Sequence, residues 1–224
     1  MKNKLLYIVL FFLVVSYTSS QAQSIKAVIG AGTNLSQVDG DQVYGFHKIG
    51  LNLAAQAMFP LTSNLFATLE LNYNEKGAFQ KKQNELPDQI YTGEYHLRLK
   101  YLEIPVMIQY NDKDIVTGGI GASYARLLNT FEEEHSGNVS PYSDTVAFNE
   151  HDILGFLDLQ FRVYKKFYVN LRYSYSIMPI RKRWFHSVNS PDKTWKRYQY
   201  NNSLMIRLNY RINEKKKSKS GLDI

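Results

Sequence analysis

The chain contains no cysteine, an absence that removes disulfides, thiolate metal sites and a lipoprotein anchor together. Beyond Val15 no apolar run approaches the roughly 20 residues that a transmembrane helix requires, and helical periodicity is almost missing from the rest. Histidine is sparse, and His47, His96, His135, His151 and His186 show no metal-ligand spacing. No segment carries a Ser/His/acid set, so no catalytic residue, metal or cofactor is assigned and the chain is not expected to be an enzyme. Gly30-Ala-Gly32 and Gly118-Gly119-Ile-Gly121 look like phosphate loops but neither opens a helix. Small residues at strand crossings account for them better. The formal charge of +7 falls to +5 once Lys2 and Lys4 are set aside, too little to indicate nucleic acid.

The N-terminus decides the compartment. Lys2 and Lys4 form a basic start, Leu5 to Val15 is an unbroken apolar run, and Ser20-Gln21-Ala22 has the small-x-small form of a cleavage site. Residues 1–22 therefore read as a secretory signal peptide, leaving 23–212 as one domain and 213–224 as a basic periplasmic tail. An exported chain without a spanning helix is secreted, periplasmic, or inserted as a barrel.

Most of the mature sequence alternates with period two. Eight segments stand out: Ser24–Leu35, His47–Phe59, Leu65–Asn74, His96–Tyr110, Ile115–Leu128, Ile153–Val163, Phe167–Ile177 and Gln199–Ile212. Each is longer than the usual globular strand of about five or six residues and long enough to cross a bilayer when tilted. The gaps between them hold 11, 5, 21, 4, 24, 3 and 21 residues, alternating long and short without exception. An up-and-down meander puts all long loops at one end and all tight turns at the other, as outer-membrane barrels do. The spacing predicts an all-β fold, an eight-stranded antiparallel up-and-down transmembrane β-barrel in the outer membrane.

The two faces can be read along each segment. Phe167, Val169, Leu171, Tyr173, Tyr175 and Ile177 share one parity, against Asn170, Arg172, Ser174 and Ser176. The fourth segment breaks phase: Leu97, Leu99 and Tyr101 lie on one parity, then Leu102, Ile104, Val106, Ile108 and Tyr110 on the other. One extra residue at Tyr101-Leu102 restores the pattern, predicting a β-bulge there beside Pro105, which lacks an N–H. Aromatics form two bands on the apolar parity, Phe59, Tyr110, Phe167 and Tyr210 near the short turns, and Tyr73, Tyr101, Tyr124, Tyr175 and Tyr200 near the long loops. Such bands suit membrane interfaces.

Two stretches carry a further signal: Ile25-Lys-Ala-Val-Ile-Gly-Ala-Gly-Thr-Asn-Leu-Ser36 and Leu97-Arg-Leu-Lys-Tyr-Leu-Glu-Ile-Pro-Val-Met-Ile-Gln-Tyr110. Both resemble the PorT-like outer-membrane β-barrel family, with Tyr101-Leu-Glu-Ile-Pro105 as the most specific piece. The resemblance covers about Ile25 to Ile212. It implies the eight-stranded outer-membrane barrel and, through the founding member, a link to a protein-secretion apparatus, but no biochemical activity.

A barrel of this size is just wide enough to be filled by its own side chains. With the phasing above, the lumen charges are Glu70, Arg98, Lys100, Glu103, Asp158, Arg162, Arg172, Arg207 and Arg211, together with Lys26. Buried charges must pair, so a packed structural ion network is expected. Two loops have opposite signs: Asn129–Asp152 holds Glu132, Glu133, Glu134, Asp144, Glu150 and Asp152 with no Lys or Arg, and Met178–Tyr198 holds Arg181, Lys182, Arg183, Lys193, Lys196 and Arg197 against Asp192 alone. They are neighbours on one rim and are expected either to pair or to face lipopolysaccharide phosphates. The expected partners are outer-membrane lipid and lipopolysaccharide, a protein reached through the external loops, and no nucleic acid, for a monomer with a structural or interaction role. Two rival readings are a soluble periplasmic lipocalin-like barrel with its apolar face inward, and a lipid-modifying barrel enzyme using His96 or His151 at the rim.

Overall fold

Alternating sequences form strands because successive side chains point to opposite faces. In the computed structural model, which describes residues 25–41, 43–81, 91–136, 147–187 and 190–212, every regular element is a strand. The expected signal peptide and C-terminal tail lie outside the described residues. The strands are β1 (Lys26–Asp39), β2 (Lys48–Pro60), β3 (Leu65–Gln80), β4 (Tyr91–Asp112), β5 (Val116–Ser136), β6 (His151–Tyr164), β7 (Phe167–Ser176), β8 (Arg181–Ser187) and β9 (Ser190–Arg211). All pairings are antiparallel, and β1 pairs with β9 from Val28↔Arg211 to Asp39↔Tyr200, closing the barrel. Eight strands make its wall. The ninth, β8, pairs with β9 alone and forms a hairpin above the wall.

Tight turns gather at one end. Lys113 and Asp114 take positive φ of 49° and 60°, the geometry of a type I′ hairpin, and Asn111 Oδ1 accepts the Asp114 amide at 2.9 Å. The long connections lie at the opposite end. There β3, β4, β5 and β9 run well past their expected limits and build a tall rim. Their extensions alternate without an apolar outward face, so the sequence pattern that marks a lipid-spanning strand does not extend to them.

Below the rim, large apolar side chains face outward. Ile49, Val106, Ile120 and Leu157 are each more than half exposed, at 66%, 55%, 64% and 56%. Aqueous surfaces rarely carry a continuous belt of this kind, whereas lipid accommodates it. The outward belt removes the lipocalin-type arrangement. Phe167 and Tyr210 meet at 5.1 Å at its lower edge, and Tyr175 stacks on Tyr200 at 6.0 Å at its upper edge.

The phase break in β4 has a different cause from the one expected. The β3–β4 register is the same on both sides of Pro105, with Leu69↔Val106 and Asn72↔Glu103. No residue is inserted at Tyr101-Leu102. Odd residues point inward throughout: Leu97, Leu99 and Tyr101 are fully buried, as are Glu103 and Met107. Tyr101 therefore belongs to the interior and leaves the outer aromatic band. The bulge sits one strand away. Lys100 pairs with Asn129 and Tyr101 with Leu127, leaving Leu128 unpaired on β5.

Candidate functional site: the barrel interior

Inward side chains in the lipid-level half are mostly polar, with Val28, Met58 and Phe66 as a small apolar cluster, because strand alternation frees the lumen to hold what lipid rejects. At its centre Glu70 takes two forked pairs. Arg172 donates from Nη1 and Nη2 at 3.0 and 2.8 Å, and Arg207 from Nη1 and Nη2 at 2.9 and 3.1 Å. Gln56 adds a donor at 2.7 Å. Arg172 also donates from Nε to Asp158 Oδ2 at 2.9 Å, and Gln109, Gln160 and Asn170 donate to the same carboxylate. Two guanidiniums and two carboxylates thus balance in charge, with amides filling the remaining acceptor positions. Bidentate Arg–carboxylate pairs are among the strongest charge-assisted contacts, and a buried charge is tolerated only in such company.

Small residues make the space. A Cβ added to Gly30 would lie 2.1 Å from Asn209 Oδ1 and 2.9 Å from Arg207 Cδ, so Gly30 clears room for the Asn209 and Arg207 side chains. One level higher, Lys76 Nζ lies 2.6 Å from Glu103 Oε1, with Asn72 and Asn74 donating to Glu103. Beside them Asp152 accepts from Ser176 at 2.7 Å and Asn201 at 2.9 Å. Toward the short turns, Arg211 lies 3.6 Å over the Tyr168 ring, Arg162 donates to the Tyr168 hydroxyl, and Lys26 sits over Phe66 at 4.6 Å.

Of the expected lumen charges, the structure brings Glu70, Asp158, Arg172 and Arg207 into one cluster, and places Glu103, Arg162 and Arg211 inside but apart from it. Arg98 and Lys100 are corrected. They occupy the outward parity of β4, Arg98 over the Phe131 ring at 5.7 Å, because no bulge reverses that strand. Lys76, Asp152 and Glu132 are interior groups that the sequence reading missed or left in loops. Lys76 continues the inward parity of Glu70, Asn72 and Asn74, a signal that extending the third segment by two residues captures.

Above this polar region the interior turns apolar. Val38, Ala78, Tyr95, Leu97, Leu99, Tyr101, Ala125, Leu154 and Ile180 form one buried cluster. An ion pair closes it: Arg181 Nη1 and Nη2 donate to Glu132 at 2.7 and 2.8 Å, while Tyr95 donates to Glu132 at 2.7 Å. Arg181 also donates to Gln199 at 2.7 Å and covers the Phe148 ring at 3.9 Å. The acidic and basic loops thus meet through Glu132, with Arg183 at 3.7 Å. Nearby, burial pushes the Asp41 carboxyl up to about 7, against the opposing pull of the Val43 amide, Arg181 and Arg183.

The rim histidines stand in other company. His151 Nδ1 is 2.6 Å from the Tyr124 hydroxyl, and His96 lies 3.3 Å from Lys48 Nζ between the Phe79 and Phe131 rings. Neither histidine has a serine or threonine hydroxyl as its hydrogen-bond partner among the described residues. Among the described residues no group of three His, Asp or Glu has metal-binding geometry.

Residues 21–182 match the family described as outer membrane protein beta-barrel domain. No curated protein matches the chain. Solved structures of similar shape include Ail, the attachment invasion locus protein of Yersinia pestis, at 13% identity and TM-score 0.46, covering 85% of this chain and 100% of that one. The outer membrane protein OprG from Pseudomonas aeruginosa gives 13% identity and TM-score 0.45, with coverage of 85% and 96%. Neisserial surface protein A gives 10% and 0.41, with coverage of 84% and 97%.

Proposed function

Because the chain belongs to the outer membrane protein beta-barrel domain family and resides in the outer membrane, we propose that it is a sealed, non-conducting barrel that presents its outer loops for interaction with a partner. It acts neither as a pore nor as an enzyme. The observation that carries this reading is the double closure of the lumen, by the Glu70–Arg172–Arg207–Asp158 cluster and by the apolar plug above it. An ion crossing the barrel would have to part forked ion pairs and then traverse a hydrocarbon-like layer. The PorT-like resemblance makes a component of a protein-secretion assembly one such partner, engaged by a single copy of the barrel.

Planar-bilayer recording on the purified, refolded protein tests the proposal. The expected result is a silent bilayer for the native chain. Steady, reproducible conductance steps from folded native protein would overturn it.

A further inference from the structure

Strand β9 runs without interruption from the lipid into the outer rim. Its lipid-facing parity is Tyr210, Leu208, Ile206 and Leu204, and the same parity continues through Asn202 and Tyr200 to Tyr198 and Lys196. At roughly 3.3 Å per residue and a tilt of about 40°, the ten-residue step from Tyr210 to Tyr200 rises about 25 Å, the height of the apolar band of such barrels. Tyr198 and Lys196 therefore stand about 5 and 10 Å above the upper aromatic band, at the level of lipid headgroups.

The hairpin partner completes the face. Lys182 pairs with Tyr198 and Trp184 with Lys196, and directly opposed residues share a face. All four are exposed. Lys196 Nζ lies 5.8 Å from the Trp184 ring and 5.3 Å from the Tyr198 ring, and Lys182 Nζ lies 5.6 Å from the Tyr198 ring. The opposite parity does other work, since Arg181 and Arg183 turn inward to Glu132. Elsewhere on the rim, the outward face of β3–β4–β5 mixes Arg98 and Lys100 with Glu75 and Glu133. Only bases and aromatics occupy these four hairpin positions.

We propose that this outward face, Lys182, Trp184, Lys196 and Tyr198, is a docking surface for the phosphate groups of the phosphorylated glycolipid of the outer leaflet. The aromatic rings lodge among headgroups and hold the two ammonium groups at phosphate height, extending the lipid contact of the barrel past its apolar belt. The surface is independent of the closed lumen.

The chain carries its own probe, because its two tryptophans, Trp184 and Trp195, both lie on this hairpin. The full protein is reconstituted into phosphatidylcholine vesicles with and without bis-phosphorylated lipid A, and tryptophan emission and acrylamide quenching are recorded. The expected result is a blue shift and reduced quenching with lipid A, reversed by added salt and lost in the Lys182→Glu/Lys196→Glu double variant. Heat-modifiable migration verifies that the variant is folded. Inorganic phosphate added to phosphatidylcholine vesicles is expected to leave the emission unchanged. Equal quenching in both lipids, undiminished protection in the folded variant, or the same protection from free inorganic phosphate would each overturn the proposal.

Discussion

The barrel has two halves that obey opposite rules along one unbroken set of strands. In the lower half the outward positions are apolar and the interior holds Glu70, Arg172, Arg207 and Asp158. In the upper half the outward positions of β4 are Arg98 and Lys100, and the interior holds Leu97, Leu99 and Tyr101. The backbone does not change phase on β4 between them. What changes is the solvent. The long strands β3, β4, β5 and β9 face lipid below and water above, and each half puts inside what its own solvent rejects. The Tyr101-Leu102 break is thus a water line written in sequence.

The largest effect expected from disturbing this contrast lies at the centre of the lower half. Glu70→Gln leaves two guanidiniums short of their shared anion and is expected to cost about 3–5 kcal/mol, the size of breaking a buried ion pair. Refolding titrations in lipid vesicles measure it. A loss under 1 kcal/mol would mean that the cluster is solvated.

Two outward positions on one strand sharpen the comparison. Val106→Arg places a charge near the middle of the apolar belt and is expected to cost about 2–4 kcal/mol. Lys100→Leu lies above the water line and is expected to change stability by no more than about 0.5 kcal/mol. Equal costs in the same titration would erase the boundary between the halves.

A further effect concerns the upper mouth and depends on pH. Asp41 is buried with Oδ2 lacking a hydrogen-bond partner, and burial raises its carboxyl to about 7. Between its ordinary value and about 7, the folded protein keeps a proton that the unfolded chain has released. Folding stability therefore falls as pH rises through that window and levels off above it. Asp41→Asn is expected to flatten this slope in pH-dependent unfolding, and an unchanged slope in the variant would assign it to another group.

Much of the lower half was legible because lipid imposes strict period-two alternation, as on Phe167 to Ile177. The alternation of long and short connections placed the strands in a meander for the same reason. The upper half was harder to read. There an apolar parity means inside, so Leu97, Leu99 and Tyr101 look like a lipid face displaced by one residue, and a bulge is the natural but mistaken repair. Arg98 and Lys100 followed that error into the lumen. The real bulge at Leu128 left no comparable mark, since Leu127-Leu128 is apolar in either phase. The β8 hairpin was hidden in a stretch marked by its charge, because its two sides alternate between cations and aromatics.

The water line itself can be located directly. The native chain has no cysteine, so single cysteines at Arg98, Lys100, Leu102, Ile104, Val106 and Ile108 can each carry a spin label in otherwise unaltered protein reconstituted in lipid vesicles. Collision rates with oxygen, which concentrates in lipid, and with a water-soluble nickel complex then report depth at each site. Nickel access is expected at 98 and 100, a crossover at 102, and oxygen access without nickel at 104, 106 and 108. Oxygen-dominated collisions continuing through 100 and 98, or nickel access at 104 to 108, would contradict this expectation.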